Sequence, residues 1–222
     1  MNSEVQYLLE KEHSTSFKEE DYIVTQSNKT AFVLIKNWPN WGNFPLSNVI
    51  YLYGDHGSGK SHLASIWQKA SNAQYVSKGL LQSMAFQDIN YILEDFENLQ
   101  SYEQNILHLF NHVITLKKYM LITARQPVVR LKIKLPDLYS RMQGIISAKI
   151  EDPDDNLIDA IISKYFSDFQ IRVASRTIKY LVKHIDRSYS AMANALLSLD
   201  KASLVKKSRI SIDLIKDILH NR

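Results

Sequence analysis

The fold of this chain is decided by residues 48–67, which read NVIYLYGDHGSGKSHLASIW. The β-branched and aromatic run at 48–53 predicts a buried strand, and the amphipathic run that begins at Lys60 predicts a helix. Between them, residues 54–61 match the pattern of a phosphate-binding loop at every fixed position. Because this motif requires a strand before the loop and a helix after it, we expect a nucleotide site here.

The residue types of the loop account for its chemistry. Its glycines let the backbone curl until successive N–H groups face one point, which the positive end of the following helix also faces. The Lys60 ammonium can reach the terminal phosphates, and the Ser61 hydroxyl can ligate Mg²⁺. His62 follows on the helix, where a lone histidine is more often a packing residue. The candidate nucleotide-binding residues of this segment are Gly54, Gly57, Ser58, Gly59, Lys60, Ser61 and His62.

A hydrolytic phosphate site also needs acidic residues at the end of another strand. The apolar run 91–93 ends in Glu94 and Asp95. We assign the metal to Glu94 and the attacking water to Asp95; the alternative is a solvated strand end. Thr123 ends the following strand and is predicted to contact the γ-phosphate, although threonine is also simply favoured in strands.

The remaining pattern divides the chain into an α/β part and a helical part. Alternating elements predict an α/β domain with a five-stranded parallel sheet flanked by helices, and the helices after Pro153 predict a small all-α domain. The expected strands are 48–53, 73–76, 90–93, 119–123 and 145–150. The expected helices of the second part are 155–167, 175–185, 188–203 and 212–221. The predicted divisions are a mobile arm at 1–20, the α/β domain at 21–152 and the helical domain at 153–222.

Composition excludes several classes of protein. The 222 residues contain 27 basic and 23 acidic side chains and no cysteine. A disulfide scaffold, a thiolate metal site and a cysteine nucleophile are therefore excluded. No apolar run approaches the roughly 20 residues of a membrane span, and no signal peptide is evident, so we expect a cytoplasmic protein with no membrane partner. The net charge of +4 permits contact with nucleic acid without arguing for it.

Three stretches together resemble the DnaA/Hda branch of the AAA+ ATPases. They are the turn Tyr22-Ile23-Val24 with Ser27-Asn28 after it, the strand and loop at 48–63, and the segment LPDLYSRM at 135–142. The resemblance implies an AAA+ P-loop NTPase fold with a helical lid, which binds ADP or ATP with Mg²⁺. It also implies that Tyr22, Ile23 and Val24 cap the adenine.

The segment at 135–142 is similar to the family's Leu-x-Ser-Arg-Phe element. By that resemblance Arg141 acts as a finger on the nucleotide of a neighbouring subunit; the alternative is an ion pair with Asp137, one helical turn away. Ser190 stands where the lid arginine of the family is expected, and Arg187, one turn earlier, could reach the phosphates instead. With Glu94 and Ala124 at positions where the family has aspartates, these departures imply weak or no ATPase activity of the chain itself.

The N-terminal arm resembles the sliding-clamp peptide of Hda proteins, Gln-x-x-Leu-x-Leu/Phe. Lys11 stands at its last apolar position. The resemblance implies binding to the β subunit sliding clamp of DNA polymerase, and to DNA indirectly through the clamp. The candidate clamp-binding residues are Gln6, Tyr7, Leu8 and Leu9.

These features predict a regulator of DNA replication initiation that resembles Hda. With the DNA-loaded clamp, it would promote hydrolysis of ATP bound to the DnaA initiator through Arg141 supplied in trans. The length agrees with Hda, because the initiator carries a further helix-turn-helix domain. The alternative is a DnaC- or transposition-helper-like AAA+ ATPase that loads or remodels proteins on DNA, for which a clamp peptide has no purpose. A third hypothesis is a nucleotide-gated scaffold. Assembly as a homo-oligomer is compatible with all three.

Overall fold

The computed structural model describes residues 17–43, 45–206 and 209–220. Its elements in chain order are α1 Lys29–Lys36, β1 Val49–Tyr53, α2 Lys60–Ser71, β2 Gln74–Tyr75, α3 Lys78–Ser83, β3 Tyr91–Leu93, α4 Glu103–Thr115, β4 Met120–Ala124, α5 Pro136–Gln143, β5 Ile146–Lys149, α6 Asp155–Asp168, α7 Ser175–His184, α8 Tyr189–Lys206 and α9 Ile212–His220. Short 3-10 helices occupy Glu19–Asp21, Phe96–Tyr102 and Val128–Arg130.

The sheet has five parallel strands in the order β2-β3-β4-β1-β5, which confirms the predicted α/β architecture. β1 lies between β4 and β5, so Tyr51 stands opposite both Ile122 and Ser147. A central parallel strand is covered on both faces, which explains why its residues are apolar without alternation. The carboxyl ends of β1, β3 and β4 share one edge, and the phosphate loop begins at that edge.

Helices cover both faces of the sheet and leave two apolar layers. Because successive strand residues point to opposite faces, Tyr51 packs with Leu93 and Phe110 on one side. Ile50 packs with Leu63 on the other. All five of these side chains are fully buried.

The helices α6 to α9 form a separate core, as predicted for the second domain. This region is called the lid below. Its buried residues include Ile158, Ile162, Leu181, Ala195 and Leu199. Within the described residues, no helix is long and apolar enough to cross a membrane.

The lid is joined to the α/β domain by direct hydrogen bonds. The Asp154 carboxylate accepts from the backbone N–H of Leu157 at 2.8 Å and thereby caps α6. Its second oxygen accepts from the N–H of Ser27 at 3.2 Å. The Tyr189 hydroxyl donates to the carbonyl of Glu151 at 3.3 Å. One aspartate therefore fixes both the start of the lid and the start of the α/β domain.

The structure differs from the sequence-based expectation at residues 17–20, which were predicted to belong to a mobile arm. The Lys69 ammonium donates to the Phe17 carbonyl at 2.9 Å, and Lys36 bonds Glu19 at 2.8 Å. These contacts fix the segment on α1 and α2. The predicted clamp-binding residues lie outside the described residues: Gln6, Tyr7, Leu8 and Leu9.

The sequence did not predict helix α3 or the three short 3-10 helices. Helix α3 is only six residues long, too short for a periodic apolar pattern, and it is capped by the Ser77 hydroxyl, which accepts from Leu80 N–H at 3.1 Å. The 3-10 helix Phe96–Tyr102 follows β3 and carries residues of the site described next.

Candidate nucleotide-binding site

The phosphate loop requires its glycines for different reasons. Gly57 and Gly59 have φ of 81° and 91°, a region that side chains strongly disfavour. Gly54 has an ordinary conformation, but a Cβ there would lie 2.7 Å from the carbonyl oxygen of Ile150. The sequence pattern therefore matches both the backbone geometry and the space around the loop.

Lys60 lies within the loop rather than in solvent. Its side chain is buried, and its ammonium donates to the carbonyls of Gly54 and Asp55 at 2.7 and 2.8 Å. Burial lowers the pKa of Lys60, while the carboxylates of Asp95 and Glu97 act in the opposite direction. The lysine predicted to contact the terminal phosphates is thus held at the centre of the loop.

The loop opens into a cavity of about 600 Å³ between the α/β domain and the lid, a size suited to a small organic ligand. Tyr22 stacks on Phe32 with ring centroids 5.6 Å apart and meets the His62 ring edge-on at 5.1 Å. His62 also bonds the Lys18 carbonyl at 2.7 Å. The residues that line the cavity are Phe17, Asp21, Tyr22, Ile23, Asn28, Gly57, Ser58, Gly59, His62, Leu157, Ile161, Lys164, Asp168 and Tyr189.

Five of these lining residues belong to the lid, and none of the five is predicted from the sequence. Tyr189 approaches the loop so closely that a Cβ on Gly57 would lie 3.3 Å from the Tyr189 Cβ. Burial raises the pKa of Tyr189 to about 12, so its phenol is neutral at physiological pH. No local motif marks these residues, because only the tertiary arrangement of the lid brings them to the loop.

The acidic residues after β3 do not all face the loop. Asp95 adopts φ of 50°, and its N–H donates to the buried Thr123 hydroxyl at 3.1 Å. The carboxylates that raise the pKa of Lys60 are, in order of effect, those of Asp95, Glu97 and Asp55. The negative charge of Glu94 is instead felt by Tyr75, whose pKa is raised to about 12 by burial and by this charge. Of the predicted residues, the structure groups Lys60, Asp95 and Thr123.

Glu97 is a further acidic residue of the site, and it is not predicted from the sequence. Its Oε1 accepts from the N–H groups of Arg125 and Gln126 at 2.6 and 3.3 Å. Among the described residues, neither Glu97 Oε2 nor Glu94 Oε1 has a hydrogen-bond partner, although both are buried. Glu97 lies three residues after Glu94, at the start of a turn of helix. This spacing is the only feature of the sequence that could have indicated Glu97.

This donor set fits Mg²⁺ held together with phosphates. The described residues contain no group of three or more histidine, aspartate or glutamate side chains that could hold a metal by themselves. Mg²⁺ is usually held by one or two carboxylates together with phosphate oxygens and waters. Ser61 in the first turn of α2 and the unpartnered carboxylate oxygens of Glu94 and Glu97 supply suitable oxygen donors.

Two predicted arginines and Val24 lie away from the cavity lining. The Arg187 guanidinium forms two hydrogen bonds with the Asp155 carboxylate, at 3.0 and 3.1 Å. Arg141 is half-buried on α5, between the buried residues Leu138 and Met142. In the part of the chain that the structure describes, it forms no ion pair, with Asp137 or with any other acid. Val24 is 41% exposed.

Comparison with known proteins gives a matching family model and sequence relatives. The family model of the Hda lid domain matches residues 166–219. An uncharacterized protein of Haemophilus influenzae is 30% identical over 189 residues, which cover 77% of this chain and 80% of that protein. The chromosomal replication initiator protein DnaA of Sphingopyxis alaskensis is 28% identical over 203 residues. That match covers 79% of this chain but only 45% of the initiator.

Solved structures show the same fold. Domain III of DnaA from Thermotoga maritima superposes with a TM-score of 0.73 at 16% identity, covering 93% of this chain and 97% of that one. AMPPCP-bound DnaA from Aquifex aeolicus gives a TM-score of 0.67 at 21% identity, covering 91% of this chain and 68% of the other. Since the sequence relatives, the lid model and the fold agree, the chain belongs to the DnaA-related AAA+ proteins and is Hda-like among them.

Proposed function

We propose that this chain is an adenine-nucleotide-binding regulator of DNA replication initiation. The observation that carries the proposal is the phosphate loop, which opens into a cavity closed by a lid of the Hda type. The AMPPCP bound to the Aquifex relative supports a nucleotide ligand. A cytoplasmic location agrees with such a role.

In this proposal the nucleotide lies along the cavity from the loop to Tyr22. The loop N–H groups and Lys60 hold the phosphates, while Tyr22, Ile23 and His62 hold the base. Ser61 and the carboxylates that follow β3 would hold Mg²⁺, which neutralises phosphate charge when bound. Val24, which is exposed, supports the turn that presents Tyr22 and Ile23.

In this proposal the chain hydrolyses little ATP by itself. Asp95 is the residue that would polarise an attacking water, and the Thr123 hydroxyl, predicted to contact the γ-phosphate, already accepts from the backbone N–H of Asp95. Glu94 acts on Tyr75 rather than on Lys60. Arg187 is engaged by Asp155, so no lid arginine among the described residues reaches the cavity. These features support nucleotide binding better than rapid hydrolysis.

Arg141 would act on a different molecule. Its guanidinium has no acidic partner in the described residues, and it lies on a helix outside its own cavity. Presented to ATP on DnaA, it would stabilise the charge that develops on the γ-phosphoryl group. Arginine fingers supplied in trans accelerate hydrolysis by ~10³–10⁵ in well-studied cases.

The partners belong to the same proposal. Residues Gln6, Tyr7, Leu8 and Leu9 would bind the sliding clamp and so bring the chain to DNA indirectly. Pairing of Arg141 with a neighbouring nucleotide site also permits a homo-oligomer. The DnaA-related family supports DnaA as the partner on which the finger acts.

The decisive experiment is single-turnover hydrolysis of ATP preloaded on DnaA, with DNA-loaded clamp present. We expect wild type to accelerate hydrolysis and Arg141→Ala to lose that effect while it folds and binds nucleotide normally. Arg141→Lys should rescue poorly, because a point charge does not reproduce the planar guanidinium fork. Arg130→Ala, which removes an exposed arginine nearby, is the matched control.

If Arg141→Ala stimulates hydrolysis as well as wild type, the finger mechanism is wrong. Rapid hydrolysis by the chain alone would favour the loader or remodelling ATPase instead.

A further inference from the structure

The lid carries the whole net positive charge of the chain. Residues 153–222 contain 12 basic and 8 acidic residues, whereas residues 1–152 contain 15 of each. No acidic residue occurs within 169–185 or within 201–212. The basic residues of these two segments are Arg172, Arg176, Lys179, Lys183, Lys201, Lys206, Lys207 and Arg209. The charge is therefore concentrated on part of the lid rather than spread over the protein.

The two basic segments meet in a groove between the beginnings of α7 and α9. The groove has a volume of about 730 Å³, and its lining includes Arg172, Arg176 and Arg209. All three side chains are exposed. In the described part of the chain, they form no ion pair, and Asp213 is the one acidic residue of the lining. Three arginines therefore line one open site that has a single acidic residue.

The start of α7 adds to this positive site. Ala174 occupies the N-cap position of the ten-residue helix α7 and offers no side-chain oxygen to its first N–H groups. Uncapped N–H groups at a helix start carry partial positive charge and bind phosphate oxygens. The groove thus combines two independent features that favour phosphate.

The positive charge continues along α7 beyond the groove. Arg176, Lys179 and Lys183 are spaced by three and four residues, so they share one face of the helix. All three are exposed, while Thr177 and Leu181 face the lid core. At 1.5 Å per residue the row is about 10 Å long. A row of this kind complements a linear polyanion better than a single phosphate.

The lining also indicates which polyanion fits. Proteins that bind single strands stack the bases on aromatic side chains. Among the residues that line the groove in the described chain, none is aromatic. Base stacking is therefore not available there, whereas contact with phosphates is. Arginine suits this task because its planar fork bonds two phosphate oxygens at once.

We propose that the lid groove and the exposed face of α7 bind the phosphate backbone of duplex DNA without reading its bases. This surface is separate from the nucleotide cavity, because the two linings share no residue. It gives the chain a direct contact with DNA in addition to any contact made through a clamp. The inference depends on neither the arginine finger nor the clamp peptide.

The test is fluorescence anisotropy of the full chain with a short labelled DNA duplex of arbitrary sequence, over a series of salt concentrations. The groove variant is Arg172→Ala/Arg176→Ala/Arg209→Ala. The control, Lys78→Ala/Arg130→Ala/Lys132→Ala, removes the same charge from the α/β domain.

The slope of log K against log salt should fall by about 3 in the groove variant, because each phosphate contact contributes about 0.9. Affinity at low salt should fall by roughly tenfold or more, with little change in the control.

Wild-type affinity in the groove variant would overturn the proposal, and so would an equal loss in the control, which would indicate diffuse attraction. Tighter binding of a single strand or of poly-glutamate than of the duplex would assign the surface to another partner. The unfolding temperature and nucleotide affinity should stay unchanged in both variants. If the groove variant is unstable, the variant Lys179→Ala/Lys183→Ala on the exposed face of α7 replaces it. This variant must lose a measurable part of the DNA affinity, although less than the roughly tenfold expected for the groove variant.

Discussion

Lys164 of the lid and Asp21 of the segment before α1 form an ion pair across the nucleotide cavity, with Nζ and Oδ1 2.8 Å apart. Lys164 also lies 3.5 Å from Asp168, one turn further along α6. All three residues line the cavity. The hydrogen bond to Asp21 is the main cause of a raised pKa of Lys164. The position of the lid is thereby linked to the same surface that would hold the base.

The first prediction concerns this ion pair. Lys164→Ala should weaken adenine-nucleotide binding about 2- to 5-fold, because a partly exposed pair contributes ~0.2–1 kcal/mol. Calorimetry on Lys164→Ala, Asp21→Ala and the double variant isolates the coupling between the two residues. Lys201→Ala, an exposed lysine elsewhere on the lid, is the control.

The pH dependence of this pair has a defined sign. The pKa of Lys164 is raised in the folded state, so the pair contributes fully below the unfolded value and is lost only as pH rises through the folded one. The effect of Lys164→Ala should therefore be constant from pH 6 to pH 9. A zero coupling term in the cycle would show that the pair does not hold the lid.

The second prediction concerns Lys60. Lys60→Ala should weaken adenine-nucleotide binding about 10- to 100-fold, since a hydrogen bond to a charged group is worth ~1.5–3 kcal/mol. Lys78→Ala, which removes an exposed lysine at the start of α3, should bind normally. Calorimetry measures both affinities, and thermal unfolding checks the fold. Unchanged affinity in Lys60→Ala would remove the loop from the binding site.

The third prediction separates the three carboxylates after β3. Glu97→Gln keeps an oxygen for the N–H groups of Arg125 and Gln126 but loses the negative charge. We expect Glu97→Gln to reduce the Mg²⁺-dependent gain in ATP affinity about tenfold, because the unpartnered Oε2 is one of the oxygens available to the metal. Asp95→Asn, at the residue assigned to the attacking water, should leave that gain largely unchanged. Glu94→Gln should reduce the gain less than Glu97→Gln does, because Glu94 lies near Tyr75 and raises its pKa. Titration of each variant with Mg²⁺ measures the effect, and a larger loss in Glu94→Gln would return the metal to the residue assigned from sequence.

Features formed by residues close together in the sequence could be predicted, whereas contacts between distant residues could not. The strand, loop and helix at 48–67 are contiguous, so their pattern was sufficient to place the loop. Glu97 contacts N–H groups 28 and 29 residues away, and Tyr189 reaches Gly57 from the lid. Such contacts depend on how the chain turns after Asp95 and after Asp154. The strand-end acids were therefore found by pattern, but which of them face Lys60 was not.

The last prediction concerns Asp154, which caps α6 and bonds Ser27 of the α/β domain. Asp154→Ala should destabilise the protein by about 0.5–2 kcal/mol, the range measured for losing an N-cap. Asp154→Asn should lose less at pH 7, because asparagine caps helices about as well as aspartate. Urea denaturation measures both free energies of unfolding. Hydrogen exchange at the amides of Ser27 and Leu157 should accelerate in Asp154→Ala, because both lose their acceptor.

The same residue gives stability a defined dependence on pH. Burial alone would raise the pKa of Asp154, but the hydrogen bonds from Leu157, Thr25 and Ser27 together lower it. Because the pKa of Asp154 is lower in the folded state, its ionised carboxylate stabilises the protein fully when the pH is above the unfolded-state pKa of about 3.9. This contribution is lost as the pH falls through the folded-state pKa. The difference between wild type and Asp154→Ala should therefore shrink when the denaturation is repeated between pH 5 and pH 3. An equal difference at every pH would mean that the ionised carboxylate does not hold the lid to the α/β domain.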